Sequence, residues 1–212
     1  MTDAAHSGSP RSAGKEIALL LYGGRTIKCL EWTGQKAGTP PIVLVADRGG
    51  PKDWNEFADR MSVDHRVLAV APEESSSLLQ VVWAVGEPAI VVTQGTTGRE
   101  ACRVASGAPG AARALVLCDY NAPADATEHK SIAVPSLIVR GRQSEALNHD
   151  DAVALHEATP DSHLVEPEHC GSWPAKDCAD DFETAVRWFI EELGKSMMEF
   201  EVQGGDPKDP RE

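Results

Sequence analysis

The chain of 212 residues is 42% hydrophobic, 25% charged and 5% aromatic, an ordinary globular composition that excludes collagen-like, disordered and disulfide-scaffold classes. No run approaches the length of a membrane span, and the polar, Gly/Ser-rich stretch 1–15 lacks the apolar core of a signal peptide. The net charge of −13 lies wholly in residues 144–212, which hold 5 Lys+Arg against 18 Asp+Glu; such a surface repels phosphates and excludes nucleic acid and anionic membrane as expected partners.

Residues 1–15 read as a disordered lead, 16–194 as one folded domain and 195–212 as a polar, frayed tail. Glu16–Tyr22 and Arg25–Trp32 are strand-like and flank Gly23-Gly24, a pair suited to a two-residue type I′ hairpin loop. Short apolar runs then follow at Ile42–Ala46, Arg66–Ala71, Ala89–Thr93, Ala114–Cys118 and Ser136–Arg140. Their near-continuous Val, Ile, Leu and Ala content is that of strands buried on both faces of a parallel sheet. A last run, His163–Glu166, alternates as an edge strand does. Helical patterns separate the runs. One begins at Asp53, with Glu56 three residues on as in a capping box. Others follow Ser75–Ser77, then cover Gly98–Ser106 and Asp150–Ala158. The clearest is Asp180–Leu193, with an apolar stripe at Phe182, Ala185, Val186, Phe189, Ile190 and Leu193. A hairpin followed by repeated strand–helix units predicts an α/β fold, a doubly wound and mostly parallel sheet with an N-terminal antiparallel hairpin. The five cysteines are odd in number, scattered and without a CxxC pair, so reduced thiols and a cytoplasmic location are expected, with no metal site and no cofactor.

Ligands of such sheets sit at the carboxyl ends of the strands. The segment Ala89-Ile-Val-Val-Thr-Gln-Gly-Thr-Thr-Gly98 runs from a buried strand through a tight turn into a helix. It resembles the nucleophile elbow of the α/β-hydrolase superfamily, with Gly95 where the serine belongs. The resemblance extends over residues 16–193. Tyr22–Gly34 is similar to the opening hairpin, Pro41–Trp54 to the oxyanion strand and loop, Pro135–Ser144 to the strand that ends at the catalytic acid, and His169-Cys-Gly-Ser-Trp-Pro174 to the loop of the catalytic histidine. What the resemblance implies is an α/β-hydrolase type without a cap domain, because the connection from Asp119 to Val134 is too short to hold one.

The chemistry of that family does not carry over. The triad positions fall on Gly95, Ser144 and Ser172, so no intact catalytic set is expected. Glycine supplies no nucleophile, while it accepts the strained turn of an elbow without penalty. Substitutes are few. His169 lies three residues before the vacant histidine position, and Cys118 ends a strand beside Asp119. A buried small hydrophobe is the ordinary role of such a cysteine. Thr96 and Thr97 read as helix N-caps rather than displaced nucleophiles. Gly95-Thr-Thr-Gly98 matches neither nucleotide-binding glycine pattern. Asp47, Arg48, Thr96 and Trp173 are the candidate ligand-binding residues, and an Asp at 47 would oppose a developing oxyanion. The expectation is a pseudoenzyme, a catalytically silent hydrolase-like protein retained to bind a neutral or cationic small molecule or a protein. The alternative is an esterase-like hydrolase or a lyase that works through Asp47, His169 or Cys118.

Overall fold

Runs of Val, Ile, Leu and Ala have two faces to hide, and the fold hides both. A computed structural model describes residues 14–34, 36, 38–47, 50–71, 78–108, 110–123 and 127–203. Its eight strands are β1 (Lys15–Leu20), β2 (Thr26–Trp32), β3 (Ile42–Val45), β4 (Val67–Val70), β5 (Ala89–Gln94), β6 (Ala112–Cys118), β7 (Ser136–Val139) and β8 (Ser162–Val165). They form one sheet in the order β1-β2-β4-β3-β5-β6-β7-β8. β1 and β2 are antiparallel, β2 meets β4 antiparallel, and every pair from β4 to β8 is parallel. Among the described residues β8 is the sheet's edge, paired with β7, as its alternating pattern predicts.

The period of two along a strand sends neighbours to opposite faces. Ile42 and Leu44 of β3 therefore join one core, with α1 (Asn55–Met61), α5 (Pro174–Asp177) and α6 (Ala179–Gln203). Val43 and Val45 join the other, with α2 (Leu78–Val85), α3 (Gly98–Gly107) and α4 (His149–Ala158). The predicted stripe of α6 is what it buries: Phe182, Ala185, Val186 and Phe189 are buried, and Ile190 and Leu193 pack at the margin. Phe182 packs against Phe57 of α1 with the rings tilted by 49° and their centroids 4.8 Å apart. Burying each such ring stabilises by about 1.5–3 kcal/mol.

Five expectations need correction. The hairpin loop has three residues, because Leu21 N–H donates to Arg25 and Gly24 N–H to Leu21; the two positive φ angles do fall on Gly23 and Gly24. The capping box at Asp53 does not form. Pro51–Trp54 is a 3-10 turn, Asp53 accepts a 2.7 Å bond from Lys176, and Glu56 pairs with Arg60. Helix α6 runs on to Gln203 rather than stopping at Leu193. Strand β1 begins at Lys15, inside the expected lead. Finally, Cys170 and Cys178 are joined in a disulfide, while Cys29, Cys102 and Cys118 are free and buried. The cysteines of the bridge are eight residues apart, and nothing in their spacing announces a pair that only the loop before α6 brings together. Ser75–Ser77, Arg48 and residues 1–13 lie outside the described residues. Among those described, no helix is long and apolar enough to cross a membrane.

Candidate functional site

Five segments converge at the carboxyl edge of the sheet. Val45 of β3 is in register with Thr93 of β5, so the residues two further on, Asp47 and Gly95, emerge side by side. Gly95 has φ +59° and opens a 3-10 turn, Gly95–Thr97, that leads into α3. The turn is therefore an elbow, in the left-handed conformation glycine takes without strain. A Cβ built on Gly95 would lie 2.7 Å from Asp47 Oδ2. The Asp47 carboxylate fills the space in which a side chain at position 95 would stand. Its Oδ1 accepts from the Thr96 hydroxyl at 2.8 Å, and its Oδ2 from the Thr96 backbone N–H at 3.3 Å. The expected N-capping by threonine is not realised: Thr96 serves Asp47, and the Thr97 hydroxyl donates to the Gln94 carbonyl at 2.9 Å.

Across the edge, Ser144 and Ser172 do meet. Their hydroxyls are 3.1 Å apart, and Ser144 donates to Asp119 Oδ2 at 2.6 Å. Gln94 ties the elbow to the same cluster, its Nε2 donating to the Ser172 carbonyl at 2.6 Å. The two loops touch backbone to backbone at Gly141, where an added Cβ would stand 2.0 Å from the Gly171 carbonyl oxygen. Gly141→Ala must therefore push the loops apart. It is expected to cost at least about 2 kcal/mol, read as a lower urea midpoint with unchanged slope.

Asp119 follows β6, is 2% exposed, and has φ +50°, a conformation Asp tolerates better than most residues. Burial pushes its carboxyl above the ordinary value, against the hydrogen bonds of Ser144 and Ser172 and the field of Arg140. In the sequence it stands out only as the neighbour of Cys118, and a carboxylate at the end of a buried strand is the signal that marks it. A folded-state pKa above the unfolded one means that stability is lost as pH rises through it. Asp119→Asn should thus melt a few degrees above the wild type at pH 8. The gain should vanish towards pH 4, near the ordinary aspartate value of 3.8, which thermal unfolding across that range checks.

No family model matches the sequence, and no curated protein matches it. Solved structures do. A serine hydrolase involved in carbazole degradation superimposes with a TM-score of 0.70 at 14% identity, over 84% of this chain and 99% of its own. A bacterial membrane phospholipase A gives 0.73 at 14% identity, over 85% and 87%. A thermophilic esterase from Thermogutta terrifontis gives 0.69 at 13%, over 84% and 99%. The chain has the α/β-hydrolase fold.

Within that fold, the N–H after the elbow residue is an oxyanion donor, and here Asp47 already holds it. The remaining candidates divide by place. Cys118 is fully buried, and burial pushes its thiol well above the ordinary value; it packs as a small hydrophobe. His169 lines a different groove, with Glu56, Arg60 and Asp180. Trp173 does line the cleft at the elbow, together with Asp47, Gln94, Asp119 and Asp177. Its ring packs 6.0 Å from that of Trp54, and its backbone N–H donates to Asp177 at 2.9 Å.

Proposed function

We propose that the protein is a catalytically silent α/β-hydrolase-like protein that binds a small molecule in the cleft at the elbow. One observation carries the reading: a glycine at the elbow whose side-chain space and neighbouring N–H donor are both taken by the Asp47 carboxylate. Hydrolysis on this fold needs a nucleophile, a base to take its proton, and open donors for the oxyanion. At the elbow the first is absent and the third is engaged by an anion, and Ser172 stands where the resemblance puts the base. In related chemistry, loss of nucleophile or base alone costs about 10⁶ in turnover.

The competing reading is an esterase-like hydrolase or a lyase with unorthodox groups, and the solved relatives are hydrolases. A panel of activated esters with a serine-directed fluorophosphonate separates the two. The expected result is no labelling and no turnover above buffer. Turnover that Asp47→Ala or His169→Ala abolishes would replace the silent reading with the enzymatic one. A cytoplasmic location belongs to the same proposal. It has one argument against it, the Cys170–Cys178 bridge, since cytosolic poise keeps most thiols reduced.

A further inference from the structure

We infer that the cleft at the elbow selects a small organic ammonium ion. This rests on the ligand-binding reading above and adds the ligand's charge and donor count. Three carboxylates, Asp47, Asp119 and Asp177, line a space of about 460 Å³. Among the described residues no Lys, Arg or His lines it. All three carboxylates accept from neutral donors: Asp47 from Thr96, Asp119 from Ser144, and Asp177 from the Trp173 backbone. The nearby Lys176 does not answer them. Its Nζ rests 4.5 Å over the Trp173 ring and is paired with Asp53 at 2.7 Å.

A cluster of acids alone is no site, but two buried acceptors without a donor stand in this one. Gln94 is 6% exposed, and its amide is oriented by the bond from Nε2 to the Ser172 carbonyl. Its Oε1 is left without a partner, and so is Oδ1 of Asp119. Unmet acceptors in a buried setting carry a desolvation penalty that nothing repays. A ligand that brings donors removes that cost. An ammonium brings three N–H donors and a positive charge to these acceptors. A carboxylate or phosphate would add repulsion and no donor. A metal ion is the other cation to consider, but among the described residues no three His, Cys, Asp or Glu stand close enough to hold one. The volume suits a small ligand, and the Trp173 ring supplies an apolar wall.

Calorimetric titration with three probes of one shape, benzylammonium, benzyl alcohol and benzoate, tests this on the full chain. Benzylammonium is expected to bind at least tenfold more tightly than benzyl alcohol, and benzoate not at all. Asp47→Asn and Asp119→Asn, each near-isosteric, should weaken benzylammonium at least fivefold. Asp150→Asn, the same charge change on the exposed start of α4, should leave it unchanged. Thermal unfolding of each variant confirms that it is folded, and if Asp119→Asn fails, Asp47→Asn carries the comparison. If benzyl alcohol or benzoate binds as tightly, ligand binding stands and the charge inference falls. If none of the three binds, both fall. Equal loss in Asp150→Asn, or no loss in either cleft variant, makes the attraction a property of the acidic surface and overturns the inference.

Discussion

Asp47→Ala/Gly95→Ser/Ser172→His is expected to hydrolyse p-nitrophenyl acetate, and Gly95→Ser/Ser172→His, which keeps Asp47, is not. The difference should be about 10²-fold or more, because Asp47 blocks two things at once. Its carboxylate lies 2.7 Å from the position of the serine Cβ and accepts from the Thr96 N–H. A single oxyanion donor is worth about 10²–10³ in turnover. Residue 144 is better left as serine. Asp119 already accepts from Ser144 at 2.6 Å, and the Ser144 hydroxyl lies 3.1 Å from that of Ser172, so the carboxylate stands near enough to orient a histidine at 172. Adding Ser144→Asp would set a second carboxylate at hydrogen-bond distance from the first. Two such groups cannot both ionise easily, and the added change is expected to lower activity. Asp47→Ala/Ser172→His with Gly95 retained is the control for hydrolysis by the new histidine alone. If that control matches the full variant, or if the Asp47 change has no effect, the elbow geometry does not govern the chemistry.

The sheet was legible in the sequence because burial on both faces leaves runs such as Ile42–Val45 and Ile90–Val92 with no polar positions to confuse the period. The meeting of positions 144 and 172 was legible through the order of pieces, and their hydroxyls do stand 3.1 Å apart. The blockade of the elbow was not. Asp47 and Gly95 are neighbours only through the register of β3 on β5, a pairing no local pattern states. The helix start at Asp53 failed for a related reason. Its carboxylate is drawn away by Lys176, from a short helix 123 residues on, so tertiary contact overrode local capping. Gly141 gave no signal either, since close backbone approach to Gly171 leaves no trace in hydropathy.

Arg140→Ala is expected to cost about 3 kcal/mol, the low end of the loss from breaking a buried pair, because Glu166 is partly exposed and keeps His149; that is still a large part of a domain's usual 5–15 kcal/mol. Arg140 is 7% exposed at the end of β7. Its Nε donates to the Leu147 carbonyl at 2.7 Å and its Nη1 to Glu166 at 3.0 Å. Glu166 is also within 2.9 Å of His149 Nδ1. The guanidinium thus closes the 141–147 loop onto β8 and α4, and that loop carries Ser144. Removing it leaves the partly buried Glu166 carboxylate with His149 alone and frees the loop together. Arg140→Met/Glu166→Gln should recover much of the loss, because no uncompensated charge is left, and only the Leu147 and Arg142 carbonyls then lose a donor. The coupling has a defined pH window. Burial would raise the Glu166 pKa, but hydrogen bonds from His149 and Arg140 outweigh it and hold the carboxyl below its ordinary 4.5. A depressed folded-state pKa gives stability that is present above the unfolded value and lost as pH falls through the folded one. The gap between wild type and Arg140→Ala should therefore be widest at pH 6–8 and narrow below about pH 4, followed by urea unfolding at each pH. A gap that does not change with pH would place the loss in the Leu147 contact and the packing of the arginine stem, and not in the ion pair.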